Sequence, residues 1–106
     1  MIYHDFQGLK LSALGMGTMR LPVMEGDDSR VDEAAAKEML AACMAGGVNY
    51  YDTAWGYHSG HSELTVGKLL ADYPRESFYL ASKFPGYDLR NMGKAEEIFE
   101  KQLEKC

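Results

Sequence analysis

A chain of 106 residues with 46% hydrophobic and 25% charged content is expected to form one globular domain with a modest core. The formal net charge of -5 argues against a nucleic-acid partner, because phosphate binding wants a basic face. No apolar run approaches a membrane span, and the N-terminus has no signal-peptide pattern. Cys43 and Cys106 make neither a metal spacing nor a disulfide framework, so a cytoplasmic setting is expected.

Met1 to Ser12 alternates loosely, with Gln7-Gly8 as a plausible turn, and predicts a β-hairpin. Ala13 to Gly17 reads as a short strand whose glycines suit close approach of a backbone or ligand. Gly17-Thr18-Met19 lacks the glycine fingerprint of a phosphate-cradling loop, which leaves a plain turn and a ligand contact both open. Leu21 to Arg30 is polar and contains one proline, so a loop is expected. Asp32 is a good N-cap for a helix presenting Ala36, Met39, Leu40 and Cys43 on one face, ended by Gly46-Gly47.

Val48 to Asp52 predicts a buried strand that closes on a charge and leaves into a glycine-rich loop carrying Tyr57. Ser62 can cap a second helix running to about Asp72, expected to bury Leu64, Gly67, Leu70 and Ala71 before Pro74 stops it. Phe78 to Lys83 reads as a third strand, again ending in a charge and broken by Pro85-Gly86. Asn91 could cap a third helix with Ala95, Ile98, Phe99 and Leu103 as its apolar face. Glu63, Glu96 and Glu97 are expected as exposed or first-turn helix charges. His58 and His61 form H-x-x-H without a clear third ligand, so no metal site is expected.

Strands alternating with helices at this spacing imply βαβ units and a parallel sheet. With a period of two, Val48, Tyr50 and Asp52 share one face, as do Tyr79, Ala81 and Lys83. On adjacent parallel strands Asp52 and Lys83 would meet at the C-terminal end, and the Tyr57 loop leaves the same rim. Such a pair can be a purely structural ion bridge. It can also serve chemistry, since a hydride-reduced carbonyl needs a proton and an ordinary phenol is a poor acid at neutral pH. A lysine cation about 4 Å away, in a mostly apolar setting with an effective dielectric near 20, is worth roughly 4 kcal/mol in favour of the phenolate.

The run NYYDTAWGYHSGHSELTVGKLL followed by ESFYLASK resembles the N-terminal signature of the aldo/keto reductases. The resemblance extends over essentially the whole chain and implies an α/β fold, a (β/α) TIM barrel entered through an N-terminal β-hairpin. A complete barrel needs about 250 residues, so residues 1–106 are expected to be a partial, single domain of about three βα units. The resemblance implies reduction of an aldehyde or ketone with NADPH, with Tyr57 as acid, Lys83 as its tuner and Asp52 as partner of the lysine. It also places Gly17, Thr18, Met19 and Asp52 near the nicotinamide, and Arg20 and Trp55 at the substrate pocket. The family's carbonyl-orienting histidine lies at the end of the next barrel strand, a role His4, His58 and His61 are not placed to fill. The isolated chain is therefore expected to be inactive as a reductase. The alternative is a non-catalytic partial barrel that self-associates or binds a partner, because its first and third strands would be bare apolar edges.

Overall fold

The computed structural model describes residues 1–106. Two antiparallel strands, β1 (Tyr3–Phe6) and β2 (Leu9–Ser12), form the N-terminal hairpin. Its turn takes Gln7 and Gly8 into the left-handed region, at φ 49° and 81°. The hairpin is latched beneath the sheet by Asn49, which accepts from Ser12 N–H and donates to the Lys10 carbonyl, both at 2.8 Å. Next come β3 (Met16–Gly17), then β4 (Val23–Met24) and β5 (Asp27–Val31), followed by α1 (Glu33–Ala45). The remainder is β6 (Tyr50–Asp52), α2 (His61–Leu70), β7 (Tyr79–Ala81) and α3 (Ala95–Lys105).

The central sheet has the order β3-β6-β7, all parallel, with Met16 opposite Tyr51 and Asp52 opposite Ala81. Parallel strands joined through helices are the βα units of a barrel, and three consecutive units are present. Period-two alternation divides β6 cleanly. Tyr51 is fully buried in a cluster with Leu40, Val66, Leu70 and Phe78, its ring edge-on to Phe78 at 6.4 Å. Tyr50 and Asp52 point to the opposite face, beside Tyr79 and Ala81, and are only half-buried. Gly15 makes room for the Tyr50 ring, since a Cβ there would stand 3.2 Å from it.

That inner face carries no covering layer. The chain forms a slab of 41 × 38 × 21 Å and exposes 6841 Å², where a compact monomer of this mass would expose about 5,900 Å². No helix is long and apolar enough to cross a membrane.

Four local expectations are corrected. Residues 21–30 are not a plain loop but contain the β4–β5 hairpin, turned by Glu25 and Gly26 at φ 53° and 71°. A two-residue turn of this kind needs both residues left-handed, and glycine supplies only one of them freely. In α2 the buried residues are Ser62, Glu63, Thr65, Val66, Leu69 and Leu70, while Leu64 and Ala71 are exposed. Buried polar residues in the first turn rotate the packed face away from the one an apolar pattern selects. Ser62 lies inside α2 rather than capping it, and Asn91 closes a preceding 3-10 turn while α3 starts without a side-chain cap. Met39 on α1 and Ala95, Phe99 and Leu103 on α3 are exposed, leaving Ile98 and Gln102 as the buried residues of α3.

The buried phenol of Tyr51 donates to the Val48 carbonyl at 3.0 Å. Burial, helped by Cys43 and Tyr73, pushes its pKa up to about 12. The folded form thus holds the Tyr51 proton more tightly than the unfolded chain, whose tyrosines titrate near pH ~10. Its contribution is intact below that pH and is lost as pH rises towards 12. In denaturation series, Tyr51→Phe should cost about 1 kcal/mol at neutral pH through the lost hydrogen bond, yet lose less stability than wild type in the alkaline window. Parallel alkaline losses in the two proteins would contradict this.

Candidate active site

Strand register brings the charged residues together. Asp52 ends β6 opposite Ala81, so Lys83, two residues further on, returns to the same face. Its Nζ donates to Asp52 Oδ2 at 2.6 Å and to the Thr53 carbonyl at 2.9 Å. The same ammonium lies 4.8 Å from the centroid of the Tyr57 ring. Burial pushes the Lys83 pKa down, but the hydrogen bond to Asp52, the Tyr57 contact and both partners' charges outweigh it and leave it raised. The setting differs from the apolar one expected. The Lys83 and Asp52 side chains are 48% and 33% exposed, because the inner face of the sheet is open.

The Tyr57 loop is held by backbone pairing first. Thr53 N–H donates to the Ala81 carbonyl at 2.9 Å and Trp55 N–H to the Lys83 carbonyl at 3.3 Å, so the chain tracks β7 beyond the end of β6. Tyr57 then opens a 3-10 turn in which His58 and Ser59 both take positive φ, at 53° and 54°. Consecutive left-handed residues other than glycine persist only where their surroundings over-determine them. His58 is that constraint. It is 2% exposed; its Nε2 accepts from Leu21 N–H at 3.0 Å and its Nδ1–H donates to the Asp28 carbonyl at 2.8 Å. These two bonds, which assign the tautomer, clamp the Tyr57 turn to the β4–β5 hairpin.

Beneath the rim, three fully buried hydroxyls join β3, β6 and α2. Ser62 Oγ lies 2.8 Å from both Thr18 Oγ1 and Thr53 Oγ1, and Thr18 also donates to the Asp52 carbonyl at 2.8 Å. Thr18 is 0% exposed, with its hydroxyl turned to Ser62 and to the Asp52 carbonyl. Its neighbours Gly17, Met19 and Arg20 are exposed. Met19, Arg20, Asp28, Gly56, Tyr57 and His58 line a depression of about 240 Å³. Trp55 instead lines a separate cleft of about 470 Å³ with His61, Tyr87 and Lys105, so Arg20 and Trp55 do not share one pocket. Only Gly56 borders both.

Two supporting residues escaped the sequence reading. His58 is legible in the sequence only as half of H-x-x-H and as a histidine not placed to orient a carbonyl, because its partners Leu21 and Asp28 lie far away in sequence. Glu63, expected as an exposed or first-turn helix charge, does stand in the first turn of α2, but it is fully buried, bonded to Ser82 and Gln102 and paired with Lys105. The Ser62-Glu63 pair in the quoted signature was the one available signal.

Residues 13–106 match the sequence profile of the Aldo/keto reductase family, and the chain belongs to that family. Among curated relatives, it is 35% identical over 78 residues to "Probable aldo-keto reductase 1" of Glycine max, covering 74% of this chain and 22% of that protein. It is 33% identical over 78 residues to the "NADH-specific methylglyoxal reductase" of Escherichia coli, covering 71% of this chain and 23% of that protein. The holo form of an aldo-keto reductase from Bacillus halodurans superposes with TM-score 0.59 at 35% identity, over 73% of this chain and 23% of that one. A thermostable aldo-keto reductase in complex with the inhibitor epalrestat superposes with TM-score 0.68 at 25% identity, over 99% of this chain and 39% of that one. The chain thus spans less than a quarter of the length of these curated relatives.

The clamp role of His58 separates it from its exposed neighbour in the H-x-x-H pair. His58→Phe keeps bulk but leaves the Leu21 N–H without an acceptor, at a cost of about 1–3 kcal/mol. His61→Phe should stay within about 0.5 kcal/mol of wild type. Equal effects of the two substitutions on chemical denaturation would refute the assignment.

Proposed function

We propose that this chain carries the proton-delivery side of an NAD(P)H-dependent carbonyl reductase acting on a small aldehyde or ketone. The carrying observation is the Lys83 ammonium held between the Asp52 carboxylate and the Tyr57 ring. The nicotinamide, when bound, supplies hydride to the carbonyl carbon. As the carbonyl oxygen takes up charge, the Tyr57 O–H gives it a proton, and the products are the alcohol and a tyrosinate. Lys83 stabilises that tyrosinate through space, and Asp52 keeps Lys83 protonated and aimed. Water now screens this attraction on the open face, and a bound cofactor and substrate would strengthen it by excluding solvent.

The residues present fit the nicotinamide end of such a cofactor. A Cβ built on Gly17 meets nothing within 4 Å, so a flat ring has open space there, beside exposed Met19 and the Asp52 rim. Arg20 and Trp55 would then border substrate from two sides of Gly56. NADPH is the proposed nucleotide, and the name of the Escherichia coli relative makes NADH the comparison to run. The setting proposed is the cytoplasm, with residues 1–106 acting as one domain and no nucleic-acid or membrane partner.

A second reading, a self-associating module, is favoured by two observations. Strands β3 and β7 are the outer strands of the sheet, and Phe99 and Leu103 on α3 are 56% and 58% exposed.

Trp55, the sole tryptophan, reports on the first reading. Titration with NADPH should quench its emission saturably, with a dissociation constant on the order of micromolar, and more tightly than titration with NADH. Flat curves for both nucleotides would overturn the reading. Any aldehyde-dependent NADPH oxidation should fall by about 10² to 10⁴ in Tyr57→Phe, and full retention would remove Tyr57 from the acid role.

A further inference from the structure

Glu63, in the first turn of α2, is a fully buried carboxylate whose three donors come from elsewhere in the chain. Its Oε2 accepts from Ser82 Oγ at 2.6 Å and from Gln102 Nε2 at 2.8 Å, and its Oε1 faces Lys105 Nζ at 3.1 Å. Each partner has a second contact. Gln102 Nε2 also lies 3.1 Å from the Lys83 carbonyl and 3.2 Å from Ser82 Oγ. Lys105 Nζ also stands 3.9 Å from the centroid of the Trp55 ring. The Lys83 carbonyl receives the Trp55 N–H as well, which closes a ring of contacts through Lys83 and Trp55.

Burying a carboxylate is costly unless donors surround it, and apolar packing would tie α3 to α2 without that cost. The pattern of second contacts is what distinguishes this network from a plain strut. Its free ends reach the backbone of Lys83 and the ring face of Trp55. An ammonium over an indole face is also worth more when desolvated, and the Lys105 side chain is only 19% exposed.

We propose that Glu63 is a positioning residue for the reductase site, fixing the Lys83 main chain through Gln102 and the Trp55 ring through Lys105. The role rests on the reading of Lys83 and Trp55 as site residues, although the couplings themselves do not require cofactor. Glu63 touches neither cofactor nor substrate. It sets where the tuner of Tyr57 leaves its strand and how the neighbouring cleft wall stands.

Two spectroscopic signatures test it on the 106-residue chain. An ammonium against an excited indole quenches by proton transfer, so Lys105→Met should brighten Trp55 emission. Glu63→Gln, nearly isosteric, should brighten it to the same level, and the double variant should be no brighter than either. Amide exchange at Trp55, whose acceptor is the Lys83 carbonyl, should quicken roughly fivefold to tenfold in Glu63→Gln and in Gln102→Met. Wild-type emission in Glu63→Gln beside a bright Lys105→Met, or unchanged Trp55 exchange in Gln102→Met, overturns the proposal. Should Glu63→Gln fail to fold, Lys105→Met and Gln102→Met decide it: unchanged emission in the first or unchanged exchange in the second sinks it. Failure of the reductase reading looks different, as flat nucleotide titrations in a chain whose couplings remain intact.

Discussion

Everything in this chain depends on the register of β6 between β3 and β7. With Asp52 opposite Gly17 on one side and Ala81 on the other, Tyr51 enters the core and Asp52 reaches the rim. A slip of one residue would exchange them, placing a carboxylate among Leu40, Val66 and Phe78 and a tyrosine on the open face. The same register places the residue two beyond Ala81 within 2.6 Å of Asp52, so core packing and site geometry are set by one choice. Hydrophobic burial enforces it. The ion pair, half-exposed and water-screened, could not do so alone.

The rim is stiffened by buried polar groups rather than by more packing. The hydroxyls of Thr18, Thr53 and Ser62, the imidazole of His58 and the carboxylate of Glu63 are each nearly or wholly buried. No buried side-chain polar atom lacks a partner. Such groups add little net stability, but each is directional and expensive to leave unpaired. They therefore suit holding a strained turn and a lysine backbone in one geometry. Their place next to Asp52, Tyr57 and Lys83, away from the bottom hairpin, fits a site that needs fixed distances.

How far this was legible in the sequence follows from the range of each interaction. The β1–β2 turn at Gln7-Gly8, the Asp32 cap of α1 and the three parallel strands were readable, because each rests on local pattern or period. The meeting of Asp52 and Lys83 was readable because alternation and parallel pairing suffice to place both. What failed was non-local or polar. The β4–β5 hairpin turns through a left-handed glutamate that no turn preference favours. The buried face of α2 begins with a serine and a glutamate whose partners lie just past β3 and β6, at the β7 exit and in α3. At Thr18 local pattern left a plain turn and a ligand contact both open, because the partner of its hydroxyl, Ser62, lies 44 residues away.

Membership in the aldo/keto reductase family and the matched barrel architecture make sense of the uncovered inner face, where Tyr50, Asp52, Tyr79 and Ala81 stand half-buried. The account's central claim is that Asp52 and Tyr57 together hold Lys83 as a charged, aimed ammonium. Selective nitrogen NMR of the Lys83 side chain, titrated towards alkaline pH in wild type and Asp52→Asn, tests this directly. Burial lowers the Lys83 pKa while Asp52 and Tyr57 raise it, so removing the Asp52 charge should move the midpoint down from its elevated position. A midpoint unchanged by Asp52→Asn would mean that the pair does not act as one unit, and the proton-delivery account would fall with it.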